Sequence, residues 1–223
     1  MRRALNAIVI GLACAASAAA QQATPPPKPA ELSDPHAGHR MSGEAQPQQS
    51  PAQKYFSDVE LLDQDGNRVR FYTDVLKGKT VIISAFFTTC TSVCPPMNRN
   101  LEKVQAALGD RVGRDVFIVS ISVDPETDTP PRLKEYSQRF HAKPGWLFLT
   151  GKKENVEWAL YRVGQYVESK DDHTTVIAVG NERTGLWKKA LGVAKPADLI
   201  QIVRSVADDK GEAETGNVKG ESK

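Results

Sequence analysis

"TVIISAFFTTCTSVCPPMNRNLEKVQAAL", residues 80–108, joins a near-continuous apolar run to an amphipathic one. Its first eight residues are mostly β-branched or aromatic with no polar alternation, as in a strand covered on both faces. After Cys94 come Pro95 and Pro96, then Met97, Leu101, Val104 and Leu108 at helical spacing, with Gly109 as the stop. A proline disfavours the α region in the residue before it, so the helix is expected to start at Pro95 with Cys94 just outside. Cys90 then lies in the loop leaving the strand. Both sulfurs would stand near a helix N-terminus, where unpaired N–H groups and the helix dipole favour thiolate. Thiolate is the form that binds metal or attacks a disulfide. The local pattern does not choose between the two.

Outward from this stretch, short apolar runs alternate with amphipathic ones. "VELLDQDGNRVRFY" (59–72) carries Asp65-Gly66 between apolar stretches, a hairpin signature. "DVFIVSISV" (115–123) reads as a second buried strand. "TPPRLKEYSQRFHA" (129–142), "KKENVEWALYRVG" (152–164) and "KPADLIQIVRSVAD" (195–208) read as helices, and "TTVIAVGNERTGLW" (174–187) as a second hairpin. Strand, helix and strand followed by a closing hairpin and helix predict an α/β fold with helices on both faces of one sheet. With a cysteine pair between a buried strand and a helix, the expected architecture is a thioredoxin-like sheet with added hairpins.

The ends differ in composition. Residues 1–20, "MRRALNAIVIGLACAASAAA", have a basic start, a short apolar run and small residues at Ala18-Ala19-Ala20, the pattern of an export signal. The apolar run is about half the roughly 20 residues a spanning helix needs, so no stable membrane anchor is expected. Gly11 stands where a lipoprotein signal around Cys14 would want a large aliphatic residue. Residues 21–53 are rich in Pro, Gln, Ala and Ser, and 208–223 are polar, so both are expected to be disordered. One domain remains, residues 54–207. The 29 basic and 27 acidic residues leave a net charge of +2 with no basic, aromatic-interleaved patch, which argues against nucleic acid.

Three chemistries compete for Cys90 and Cys94. A disulfide staple fits an oxidising compartment, but it would close too short a loop to add much stability. A peroxidase nucleophile follows Pro-x-x-x-Thr/Ser-x-x-Cys, whereas Ile83 and Phe87 occupy those positions before Cys90. A redox couple or a metal site remains. Two further stretches weigh on the choice: "ISVDPETDTPPRLKEY" (121–136) and "WLFLTG" (146–151), with Asp172-His173 later. Together with Cys90-x-x-x-Cys94-Pro95, they resemble the Sco/SenC family of copper-binding thioredoxin-fold proteins, in order across residues 54–207. The resemblance implies that Cys90, Cys94 and His173 bind copper. It also implies delivery to the dinuclear copper site of cytochrome c oxidase subunit II or a related copper enzyme. The family usually has Gly-Tyr-Thr before the first cysteine and proline after it, where this chain has Phe87-Thr88-Thr89 and Thr91.

Two thiolates and an imidazole form a soft three-donor set that suits Cu(I) and can hold Cu(II), whereas structural zinc takes four protein ligands. Asp172 is a candidate to orient the His173 ring. Asp124 and Asp128 in "VDPETDTP" read as turn and helix-capping residues, and His141 as a structural residue at a helix C-terminus. In the linker, His36, His39 and Met41 of "HAGHRM" offer a second, weaker copper site. The reading is therefore an exported, periplasmic copper chaperone, reset by a thiol reductant. The alternative is a thiol-disulfide oxidoreductase of the same fold that reduces the cysteines of a client copper protein through the redox disulfide Cys90–Cys94.

Overall fold

The computed structural model describes residues 49–211. Its centre is a five-stranded sheet of order β5-β4-β3-β6-β7, with a two-stranded hairpin, β1 (Glu60–Leu62) and β2 (Arg68–Arg70), beside it. The strands β3 (Thr80–Phe86), β4 (Val116–Ser122) and β5 (Trp146–Leu149) are parallel. The strands β6 (Val176–Asn181) and β7 (Leu186–Leu191) form an antiparallel hairpin that joins β3 on its other side. All seven positions of β3 are buried. This accounts for its unbroken apolar sequence, because a central strand covered on both faces has no solvent side to make polar.

Side-chain alternation divides the core into two. Ile82 and Phe86 of β3 and Ile118 of β4 face α2 (Cys94–Leu108), α3 (Pro130–Gln138) and α5 (Pro196–Ala207). Val81, Ile83 and Ala85 face α1 (Pro51–Phe56), a π-helical turn at Phe71–Leu76, and α4 (Lys153–Arg162). Met97, Leu101 and Val104 of α2 are fully buried against the first face. At about 1.5–3 kcal/mol for each buried apolar side chain, that stripe alone seats α2 firmly on the sheet. The architecture is the thioredoxin-like α/β layering expected, with helices on both faces.

Local differences have local causes. The sequence boundary at residue 54 misses α1, which starts at Pro51 behind an N-cap in which Ser50 Oγ accepts from the Gln53 amide. Cys94 is the first residue of α2 rather than the residue before it, with Val93 in the capping position. Here a bond within the turn offsets the effect of Pro95: the Cys94 amide donates to Cys90 Sγ at 3.4 Å. "WLFLTG" supplies the edge strand β5, whose open side the β1–β2 hairpin covers. Leu62 and Thr150 exchange backbone bonds of 2.8 and 2.9 Å, and the Gln64 amide bonds Phe148 N and Trp146 O. Gly66, with φ +81°, makes the hairpin turn in which Asp63 accepts from the Asp65 and Asn67 amides.

Candidate metal centre

The C-terminal end of β3 and the start of β6 lie at the same edge of the sheet, because the two strands are antiparallel with Ser84 opposite Ile177. The first leads into the Cys90–Cys94 turn, and His173 stands just ahead of the second. Cys90 Sγ, Cys94 Sγ and a ring nitrogen of His173 consequently all lie within 4.8 Å of one another. His173 Nε2 is 3.8 Å from Cys90 Sγ and 3.2 Å from Cys94 Sγ. An ion ~2.0–2.3 Å from each donor would need neighbouring donors ~3.5–4 Å apart in a trigonal set, so small adjustments suffice. Among the described residues this is the one cluster of three or more Cys, His, Asp or Glu side chains with such spacing.

The imidazole is oriented from behind. His173 Nδ1 lies 2.7 Å from the Lys170 carbonyl. A carbonyl only accepts, so Nδ1 carries the proton and Nε2 presents its lone pair to the sulfurs. The carboxylate suggested for this task, Asp172, is exposed and makes no side-chain bond to the ring among the described residues. The segment ends in a short 3₁₀ turn, Lys170–Asp172, which brings the carbonyl rather than that carboxylate under the ring. Phe87 packs edge-on against His173 with ring centroids 4.9 Å apart.

The two sulfurs differ. Cys90 is 6% exposed and Cys94 fully buried. Burial raises the Cys90 thiol, but the Cys94 thiol and the amides of Cys94, Ser92 and Val93 outweigh it and hold Cys90 below the usual range. Burial, together with the neighbouring Cys90, drives Cys94 strongly upward. In the metal-free pair the first thiolate therefore belongs to Cys90. Both cysteines are free thiols.

Asp128 does not cap α3, whose N-cap Thr129 makes no side-chain bond. It is fully buried and accepts from the Thr88 amide at 3.1 Å, the Thr88 hydroxyl and the Ser122 hydroxyl at 2.6 Å. It thereby ties the cysteine loop to the end of β4. Asp124 is bonded to Lys170 at 2.7 Å. His141 lies beyond the end of α3 with φ +48° and pairs with Glu102 of α2 at 2.7 Å, not with a helix terminus. His36, His39 and Met41 lie outside the described residues. The sequence did not single out Lys170, and it marked Phe87 only as a departure from two motifs, not as a neighbour of His173. "ESKDD" carries no more than the mark of a polar loop, and Phe87 continues the apolar run of β3.

A thioredoxin-like sheet with two thiols and one imidazole gathered at the end of its central strand defines a class of thiolate–imidazole metal and redox proteins. The chain belongs to the SCO1/SenC family, whose model matches residues 47–208. It is 37% identical over 105 residues to a SCO2-like protein of Rickettsia conorii, covering 47% of this chain and 48% of that one. The chain spans about half the length of the curated relatives it first matches. Among solved structures, copper-bound ScoI of Arabidopsis thaliana is 28% identical with a TM-score of 0.55, over 66% of this chain and 93% of that one. BsSco, a member of the Sco family of cytochrome c oxidase assembly proteins in which a disulfide switch has been identified, is 29% identical with a TM-score of 0.56. That likeness covers 67% of this chain and 91% of BsSco.

Proposed function

We propose that the chain is an exported copper carrier that holds one copper through Cys90, Cys94 and His173 and delivers it to the dinuclear copper site of a respiratory oxidase. The observation that carries this is the convergence of two sulfurs and an oriented Nε2 within 4.8 Å. Family membership, the copper-bound relative and the oxidase-assembly relative support it. The chain's own part is to release two thiol protons as the ion enters, hold the imidazole lone pair toward it, and leave the set at three donors. A three-donor ion retains room for an incoming ligand from the client, so transfer can proceed by stepwise exchange rather than dissociation. Among the described residues no helix is long and apolar enough to cross a membrane. The export pattern in residues 1–20 supports a periplasmic site of action.

Metal analysis with Cu(I) and Cu(II) titrations of the reduced protein tests the assignment. One tight equivalent and an intense sulfur-to-Cu(II) absorption band are expected, and Cys90→Ser or Cys94→Ser should abolish both. Retention of the tight equivalent in both variants would remove the assignment. The His36, His39 and Met41 group is proposed as a second, weaker site. His36→Ala with His39→Ala should remove any second equivalent and leave the first.

A second reading is favoured by the inequality of the sulfurs. The Cys90 thiolate would attack a client disulfide, forming a mixed disulfide and expelling one client thiolate. Cys94, on losing its proton, would then displace the other. The client gains two electrons, the chain keeps a Cys90–Cys94 disulfide, and an external thiol reductant restores it. His173→Ala separates the readings, since a copper carrier loses Cu(II) affinity while a dithiol reductase keeps its rate.

A further inference from the structure

Lys170 touches the histidine segment twice. Its carbonyl accepts both the Nδ1–H of His173 at 2.7 Å and the His173 amide at 3.3 Å. Its ammonium crosses to Asp124 Oδ2 at 2.7 Å, in the loop after β4, and lies 5.5 Å from the centroid of the Phe87 ring. Asp124 is itself fixed, since its amide donates to Ser122 Oγ and its carbonyl accepts from the Thr127 and Asp128 amides. Ser122 and Asp128 belong to the same network that holds Thr88 and the cysteine loop. Between Gln165, whose side chain bonds the Val176 carbonyl, and His173, no other side chain bonds outside the segment among the described residues. The ion pair is shielded on one side, with the Asp124 side chain 13% exposed and that of Lys170 42%.

We propose that the Lys170–Asp124 bridge is a latch that positions His173 against the two sulfurs and thereby sets how strongly the site holds Cu(II) relative to Cu(I). This rests on the copper reading above. Closed, the bridge seats the Lys170 carbonyl under the ring and gives the ion three donors. Open, the segment loses its one side-chain bond to the β4 loop, the ring keeps only its edge contact with Phe87, and the ion is left with two firmly placed thiolates. Two thiolates satisfy the soft Cu(I) ion, while Cu(II) draws more on the imidazole. Lys170 is thus a positioning residue, acting through His173.

Simple electrostatics predicts the opposite result, which makes the test sharp. Removing a cation beside a bound cation should tighten binding, whereas removing a latch should loosen it. The pair is partly exposed and so modest in strength, and Lys170→Ala should weaken Cu(II) about 5-fold and Cu(I) less than about 2-fold. Lys170→Arg, which retains the charge and reach, should restore the wild-type ratio. In a His173→Ala background Lys170→Ala should change neither affinity. Metal-free protein gives an independent reading: Lys170→Ala and Asp124→Asn should each speed hydrogen exchange at the His173 amide by a similar factor of about 5. Unchanged exchange in the folded variants overturns the latch, whatever copper does. Faster exchange with an unaltered or tightened Cu(II) affinity overturns its positioning role. A wild-type chain that bound no copper, with exchange responding as expected, would instead remove the copper reading beneath it and, with it, the positioning role.

Discussion

Cys90 and Cys94 share one turn of chain, yet only one of them meets water and a fan of amides. Cys90 keeps slight exposure and is held below the ordinary thiol range, while burial pushes Cys94 well above it. In metal-free reduced protein, iodoacetamide should therefore modify Cys90 first, and its rate should rise with pH through a midpoint below that of a free thiol. Cys94→Ser should keep most of that rate and Cys90→Ser should lose at least about ten-fold at neutral pH, because thiolate fraction and access both fall. Mass spectrometry of partly alkylated protein reads this directly, and equal labelling at the two positions would contradict it. The same inequality gives copper uptake a pH dependence of known sign. The ion must displace at least the Cys94 proton, so affinity should rise as pH rises.

Among the elements, the loops around the candidate metal site are joined through a buried carboxylate as well as through the apolar packing of Phe87. Asp128 is fully buried and accepts from Thr88 and Ser122, so Asp128→Ala would leave the buried Ser122 hydroxyl and the half-buried Thr88 donors without a partner. A loss of about 3 kcal/mol in urea unfolding is expected, and about half that for Asp128→Asn, which retains an acceptor oxygen. A change within about 0.5 kcal/mol for Asp128→Ala would mean that the network relaxes onto water. This residue also marks the limit of what was legible in advance. The strands β3 and β4, the hairpin β6–β7 and helices α2, α4 and α5 follow from apolar periodicity. Cys90, Cys94 and His173 stood out through residue type and family resemblance. Asp128 and Lys170 did not, because each works through a partner forty or more positions away, Thr88 for one and Asp124 for the other. An Asp two residues before a helical run looks like a cap, and a Lys in a polar loop looks like solvent-facing charge. Only the tertiary fold distinguishes them.

Across the whole molecule, the centre is assembled by the pairing of β3 with β6, which aligns Ser84 with Ile177 and so carries His173 to the cysteines. Contacts this distant along the chain close late, since the entropy of a long loop must be overcome before they contribute. A chain emerging from synthesis would hold its cysteine turn well before its histidine could reach it. In refolding from urea with Cu(II) added at successive times, the absorption component lost in His173→Ala should grow with the rate constant of the slowest folding phase. A component that matured earlier would show the ring reaching the sulfurs without the strand pair. On the proposed copper reading, the antiparallel closure of β6 on β3 would act as a form of quality control: a half-made chain could bind copper weakly through sulfur, but only a completed one would have the full set of donors.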